Sequence, residues 1–520
     1  MGADPGKERG LDRRPSDRAW AVRLCAAVYL LALTFVVMLQ SPLRPGNSGL
    51  SGTDSSVFQT VVMMMRRGAM PYRDSFDHKG PLLYLIDYAG ALISPRWGIW
   101  AVELISLFVT LWAMYRVARL CVGPVGACLA AAAAATPLLN ISHNFFSGGN
   151  LVEEYAMPFI AVSAYIFLDY LDSGRVTRLR LAACGFCMGC VFLLRANMIA
   201  VWVVFCLAIA VRCLVRKDFA QLGTFILFFL AGFAAIVVPI LIWLAAAGAL
   251  IPFFDAYVLF NMTYAARDDS ASASLVSAFR FFAEKKIVFL PLACSLAAAA
   301  LAKAEKRFLY WTYTACLLLS LLMTAMSRYT FSHYGMALVP LLAFPLAAAC
   351  RWGLGLAANL PHKLAPRAAG AGVAVLLAAV TVFSYGRAAR KNWNAVISLN
   401  DRGLVSSVCA VIEEYAGPED SISAFGNWDI IYLESGRPHA ATYSYQSPIG
   451  SIDPEIMDGY FAQLRQELPK VVVLAQSTSS KMVGPHNTMD QFLREYGYAQ
   501  VWAQGESYRD GAVVYARAAG

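Results

Sequence analysis

Charge is what this sequence has least of. Only 15% of its 520 residues are Asp, Glu, Lys or Arg, and 58% are hydrophobic. Soluble chains carry about 25% charged residues, and single soluble cores stop growing near ~250–300 residues. One large water-soluble core is therefore excluded. Apolar runs of ~17–25 residues recur instead, each long enough to cross a ~30 Å hydrocarbon layer as a helix. The chain reads as an α-helical polytopic membrane protein.

A disulfide framework is also missing. Most of the twelve cysteines lie in apolar segments. The "CGFC" at 184–187 has CxxC spacing, but no second pair and no flanking ligand histidine. Small residues at a helix–helix contact explain it better than a metal site. Cys409 stands alone in the predicted soluble tail, which excludes an internal disulfide there. The N-terminus lacks the short apolar core and small-residue cleavage site of a removable signal peptide. No phosphate-loop motif or internal repeat is found. Net charge is +9, but the cations sit in short loops between spans, a pattern that speaks to orientation and not to nucleic acid.

What is there begins with about eleven predicted spans. They lie near 24–41, 98–115, 121–139, 152–170, 180–194, 197–212, 222–248, 287–302, 308–326, 335–350 and 368–385. One alternating set of loops is short and basic: the N-terminus, then Arg116 and Arg119, Arg175 to Arg180, Arg212 to Lys217, Lys303 to Arg307, and Arg351 to Arg367. The positive-inside rule assigns this set to the cytoplasm. The loops 42–97, 140–151, 195–196, 249–286 and 327–334 then face outward, with everything after 386. The expected location is the plasma membrane, with the N-terminus inside. The domain division is a membrane domain over 1–389 and an extracytoplasmic α/β domain over 390–520. In the latter, "DSISAFG", "KVVVLAQ" and "GAVVYAR" read as strands, while 401–416, 453–467 and 487–496 have helical spacing.

The loop 42–97 is the most informative part. "TDSSVFQTVVMMMRRGAMP" reads as a short helix, with Asp54 or Ser55 as N-cap, Gly68 as the stop and Pro71 beyond it. Val57, Phe58, Val61, Val62, Met64 and Met65 fall on one stripe, which suits a helix lying in the membrane interface. A second apolar stretch, "GPLLYLIDYAGALI", follows. Between the two lies "PYRDSFDHK". Lys79 can set an ammonium against a lipid phosphate, and Arg73 a planar fork. Asp54 is a candidate general base, with Asp74 and Asp77 as rivals. Each has a plainer reading: Asp54 as a helix cap, His78 and Lys79 as interfacial anchors, Asp74 and Asp77 as turn residues.

At these residues the chain resembles the polyprenyl-phosphate-sugar-dependent glycosyltransferases of the GT-C superfold, such as the protein mannosyltransferases and the aminoarabinose lipid A transferases. The match rests on Asp54 soon after the first span, two juxtamembrane helices, and "HKGPLL", which is similar to the family's "HK-P-L" element. The resemblance implies Asp54 as catalytic base and Lys79 as the contact to the donor phosphate; Arg73 and His78 are the further donor-phosphate-binding candidates of the loop. It covers roughly 20–345. "GGNLVEEYAMPF" (Asn150, Glu153, Glu154), "FLLRANMI" (Arg195, Asn197) and "SRYTFSHYGMALVP" (Arg328, His333, Tyr334) look like further family segments at outer span ends. Two departures stand out. Relatives often carry two adjacent acids where this chain has Asp54-Ser55, which leaves any divalent metal open; no other cofactor is implied. Gly80 stands where relatives often have proline.

The implied activity is an inverting transfer of sugar from a polyprenyl-phosphate donor in the bilayer to a lipid, glycan or protein acceptor. The competing class is a transporter or lipid flippase, which would show paired broken helices or repeated halves near the midplane. Three further readings stay open. Glu103 is either functional or paired with Arg or hydroxyl groups. Only one of the adjacent Glu153 and Glu154 is expected to face the bundle interior, with Glu154 favoured. Asn140-Ile-Ser and Asn261-Met-Thr are glycosylation sequons only in a eukaryotic chain.

Overall fold

The computed structural model describes residues 17–266, 276, 280, 289–325, 331–358, 365–475, 488–505 and 511–517. Its membrane part begins with α1 (Asp17–Met38), α2 (Thr53–Arg66), α3 (Pro81–Ile93), α4 (Gly98–Ala118) and α5 (Pro124–Ala134). It continues with α6 (Val152–Ser173), α7 (Arg178–Phe192), α8 (Ala200–Val215) and α9 (Phe219–Ala246). The short α10 (Leu250–Phe253), a π-helical turn (Phe254–Leu259) and α11 (Phe260–Ala266) follow, then α12 (Phe289–Leu301), α13 (Ala304–Ala325), α14 (Val339–Ala358) and α15 (Ala365–Asn392). Every one of the predicted spans coincides with a helix. Among the described residues, four helices are by themselves long and apolar enough to cross a membrane: Trp20–Met38, Gly98–Ala118, Phe219–Ala246 and Ser332–Arg351.

Close packing follows the small residues. A β-carbon at Gly185 would lie 1.8 Å from the Phe229 carbonyl oxygen, and one at Gly232 would lie 1.9 Å from that of Ala182. Only glycine lets α7 and α9 approach this closely. Cys184 and Cys187 are buried beside that contact, and all twelve cysteines are free thiols. "CGFC" is thus part of a helix seam, as its spacing suggested.

The loop after α9 departs from expectation. Residues 250–266 are helical, where the sequence was read as an outer loop. Phe253 and Tyr257 stack at 5.2 Å and Phe260 meets Phe76 at 5.6 Å, so this segment walls one side of the 71–80 loop.

The C-terminal unit has a four-stranded sheet in the order β1-β2-β4-β3. These are β1 (Ile422–Phe425), β2 (Val471–Ala475), β3 (Tyr498–Gln504) and β4 (Ala512–Arg517). β1 and β2 are parallel, and β4 runs antiparallel to both β2 and β3. Helices Arg402–Tyr415, Ile430–Ser435, Pro454–Glu467 and Thr488–Glu495 surround it. β3 was not anticipated: it is an edge strand, half exposed, with a register shift between Gln500 and Trp502 that breaks its alternation.

α2 corrects a second expectation. Its apolar residues Val57, Phe58, Val61 and Val62 are buried in the main helical core, not laid against lipid. Part of its polar face is covered too: Ser55, Ser56 and Thr60 are buried, and Thr60 Oγ1 donates to the Asp429 carbonyl at 3.3 Å. Met63 packs on the core of the C-terminal unit. Small hydroxylated residues let this helix be sandwiched between the bundle and the α/β unit.

Candidate functional site

α2 sets the first group. Its N-cap is Gly52 in an extended conformation, so neither Asp54 nor Ser55 caps the helix. Asp54 sits in the exposed first turn. Among the described residues its carboxylate has no hydrogen-bond partner. Ser55 turns inward instead: its Oγ accepts from Asn150 Nδ2 and from Gln59 Nε2, both at 3.0 Å. The other end stops as expected. Gly68 has φ +91°, its N–H bonds to the Met65 carbonyl, and that of Ala69 bonds to Met64, the paired closure of a Schellman motif.

The charged loop is organised around Asp77, which is only 2% exposed. Tyr84 donates to its Oδ2 at 2.8 Å. Its Oδ1 accepts from Tyr445 at 2.8 Å and from the His78 amide at 2.7 Å. Burial pushes the Asp77 carboxyl up, while the Lys79 charge and the two tyrosine bonds oppose that shift. His78 Nδ1 lies 3.2 Å from the Tyr445 hydroxyl, and its Nε2 is 2.6 Å from Lys79 Nζ. Burial, with the charges of Lys79 and Arg195, pushes the His78 imidazole well below its usual value. It is therefore neutral. Nδ1–H faces the tyrosine oxygen and Nε2 accepts from the ammonium. Among the described residues, Lys79 keeps two of its three N–H donors free for a ligand. Its backbone carbonyl is fixed by the Tyr72 hydroxyl at 2.7 Å, and that of His78 by Asn261 Nδ2 at 2.8 Å.

Arg73 and Asp74 belong to the loop's frame. The Arg73 fork holds Asp74 at 2.9 and 2.8 Å and the Ala247 carbonyl at 2.8 Å. Asp74 Oδ2 accepts the Met70 amide at 2.7 Å, and the Arg73 hydrogen bonds hold its carboxyl below the usual range. This supports the turn reading for Asp74. Burial in an Asp77-centred network replaces the turn reading for Asp77.

A second set gathers at helix ends. Glu153, on the first turn of α6, is ion-paired with Arg195, whose guanidinium lies 4.3 Å from the centre of the Tyr334 ring. Glu153, Arg195, Asn197 and Tyr334 line a cavity of about 30 Å³, room for an ordered water. His333 lies within electrostatic reach of Glu153, Asp54, Arg195 and Lys79. Arg328 lies outside the described residues.

Glu154 faces another way. Both glutamates are buried, at 3% and 0% exposure, which corrects the expectation that only one faces inward. Adjacent side chains do diverge, but α6 is enclosed on more than one side. Glu154 Oε2 accepts the Asn150 amide at 3.0 Å, and Oε1 has no partner among the described residues. Glu103 accepts from the Ser41 hydroxyl at 3.3 Å and from the Asn150 amide, so among the described residues it is held by a hydroxyl and a backbone N–H and not by an arginine. Asn150 Nδ2 also reaches Asp87 at 3.0 Å. The amides of Asn140 and Asn261, the two sequon asparagines, are both engaged within the protein.

Two contributors gave no signal for this role. Tyr445 carries no motif and Asn261 only a sequon; three-dimensional packing brings both onto the loop. Among the described residues, no group of three or more His, Cys, Asp or Glu is arranged to hold a metal ion. The neighbour of Asp54 that is often a second acid in similar proteins is Ser55, already committed to Asn150 and Gln59, so a metal gains no paired carboxylate there.

Residues 20–350 match the family model described as the putative competence-induced protein Ccs4 N-terminal domain. The chain belongs to the Ccs4 N-terminal domain family. No curated protein sequence matches it. Among solved structures, this Ccs4-family chain is similar to ArnT from Cupriavidus metallidurans bound to undecaprenyl phosphate. Identity is 14%, the TM-score is 0.63, and 96% of this chain and 98% of that one are covered. It is also similar to AglB, an archaeal oligosaccharyltransferase from Archaeoglobus fulgidus in complex with an inhibitory peptide and a dolichol-phosphate. There identity is 13%, the TM-score is 0.53, and coverage is 96% and 75%. The Ccs4-family chain has the fold of the GT-C membrane glycosyltransferases.

Proposed function

We propose that this chain is an inverting glycosyltransferase that moves a sugar from a polyprenyl-phosphate donor to an acceptor at the end of the bundle that carries the 42–97 loop. The observation that carries this reading is one electrostatic neighbourhood. Asp54, a carboxylate without a hydrogen-bond partner among the described residues, and Lys79, an ammonium with donors to spare among them, both act electrostatically on His333. ArnT and AglB, which share the fold, are described with undecaprenyl phosphate and dolichol-phosphate respectively.

In this reading the acceptor hydroxyl or amine attacks the anomeric carbon and gives its proton to Asp54. The bond from that carbon to the phosphate oxygen breaks on the opposite face. Charge then grows on the departing phosphate, where a fixed ammonium stabilises the transition state more than the ground state. The neutral His78 orients Lys79 without competing for the anion. Arg195, paired with Glu153 and stacked on Tyr334, is a second cation beside the same space. The acceptor is a lipid, glycan or protein.

The test is transfer by purified protein supplied with a polyprenyl-phosphate sugar and candidate acceptors. Asp54→Asn should lower kcat by about 10²–10⁴-fold, the usual weight of a general base, with donor binding retained. Lys79→Ala should weaken donor binding by about tenfold or more, the loss of a charge-assisted hydrogen bond. Undiminished transfer by Asp54→Asn removes the base assignment.

A further inference from the structure

The opposite end of the bundle holds a larger cavity that the transfer reading does not use. Its volume is about 500 Å³, within the range of small-molecule sites. Its polar wall is Lys303, Lys306, Arg351 and Asp172, and its apolar wall includes Leu309 and Phe344. Asp172 is ion-paired with Lys306. Among the described residues, neither Lys303 nor Arg351 has a carboxylate partner. The cavity therefore carries three cations against one carboxylate.

Its position follows from helix geometry. Asp172 is on the last turn of α6, whose first turn carries Glu153 and Glu154. At ~1.5 Å per residue the two ends are about 28 Å apart, the depth of a hydrocarbon layer. Leu120 and Cys121, just beyond the end of α4, also line the cavity. This is the end at which the short basic loops gather, including Arg116, Arg119 and Arg175.

We infer that this cavity binds the phosphate headgroup of an anionic membrane lipid in the leaflet opposite the transfer site. The unpaired Lys303 and Arg351 would meet the phosphoryl oxygens, and Leu309 and Phe344 the first methylenes of the tail. Basic pockets between membrane helices recognise anionic lipids in this way. A flat basic surface would attract the same lipids but would not enclose a headgroup.

The experiment is native mass spectrometry of the purified full chain in detergent, incubated with phosphatidylglycerol, with phosphatidylcholine, or with inorganic phosphate. Wild type should retain phosphatidylglycerol over phosphatidylcholine. Lys303→Gln with Arg351→Gln should lower that retention about 25-fold, about fivefold for each cation lost. Arg175→Gln with Arg216→Gln, which removes equal charge from positions outside the cavity, should change it clearly less than the loss of Lys303 and Arg351 does. Ala348→Phe, which fills the cavity and leaves its charges in place, should also release the lipid. Thermal unfolding of each variant separates lost binding from lost folding. Equal retention of both lipids, or equal loss in the control outside the cavity, overturns the site. Phosphate protection against heat with none added by phosphatidylglycerol overturns the lipid and leaves a free anion.

Discussion

At the scale of single residues, Gly80 shows why this loop tolerates so little change. A β-carbon there would lie 1.9 Å from the Leu193 carbonyl oxygen. The Gly80 amide also donates to the Leu194 carbonyl at 3.1 Å. It is the N-cap of α3, with Pro81 following at a position where a missing N–H does no harm. Proline, frequent here in similar proteins, would lose that bond and meet the same oxygen. Gly80→Ala must push α3 from the backbone after α7, at about 1–3 kcal/mol for overpacking. Gly68 is the control: its φ is +91° but a β-carbon would meet nothing within 4 Å. Gly68→Ala should cost about 1 kcal/mol through φ alone and leave the Lys79 loop in place. Thermal unfolding should rank the two variants, and only Gly80→Ala should raise the donor KM. Equal KM values would detach Gly80 from the placement of Lys79.

At the scale of elements, the loop 71–80 is a rigid mount for one ammonium, and Asp77 is its centre. Tyr445→Phe removes one of the hydrogen bonds to Oδ1, a loss of about 1 kcal/mol, and should raise the donor KM about fivefold with kcat nearly unchanged. Asp77→Asn should do more, since an amide has one acceptor oxygen where the carboxylate has two. Saturation kinetics with the lipid donor distinguish this positioning effect from loss of the base, which lowers kcat. Much of this scaffold was legible in advance. Apolar length marked the helices, Gly68 and Pro71 marked the end of α2, and "HKGPLL" marked Lys79. The partners of the loop were not. Tyr445 is an ordinary residue in sequence and Asn261 stood out only as a sequon, and their roles arise from contacts across 368 and 183 positions. The 250–266 helix was missed because it follows α9 after a Gly248 turn and was assigned to a loop by span alternation. Asp54 was misread as a cap because Thr53 and Gly52 give no stronger local signal.

At the scale of the whole molecule, the α/β unit is part of the site and not an appendage. His439 Nε2 meets Ser75 Oγ at 3.1 Å, the Phe76 amide bonds to the Thr442 carbonyl at 2.8 Å, and Arg67 pairs with Glu419 at 2.8 Å. Two buried groups make this docking sensitive to pH in opposite directions. Burial lowers His439 from 6.5 to about 4. Its contribution to stability is present above pH 6.5 and is lost as pH falls toward 4, up to about 3 kcal/mol at ~1.36 kcal/mol per unit. Burial raises Asp429 from 3.8 to about 7, with Asp77 nearby adding to the shift and the Ser444 bond opposing it. Its contribution is present below pH 3.8 and is lost as pH rises through 7, up to about 4 kcal/mol. Between pH ~4 and ~6.5 the two slopes oppose each other. Asp429→Asn, a neutral shape mimic, should therefore match wild type near pH 4 and exceed it at pH 8. His439→Gln should gain on wild type as pH falls from 6.5 to 4. Thermal unfolding of the full chain across this range, followed by tryptophan fluorescence with Trp428 beside Asp429, measures both differences. Variant and wild-type curves that run parallel at every pH would show that neither group is held in its buried form by the docked domain.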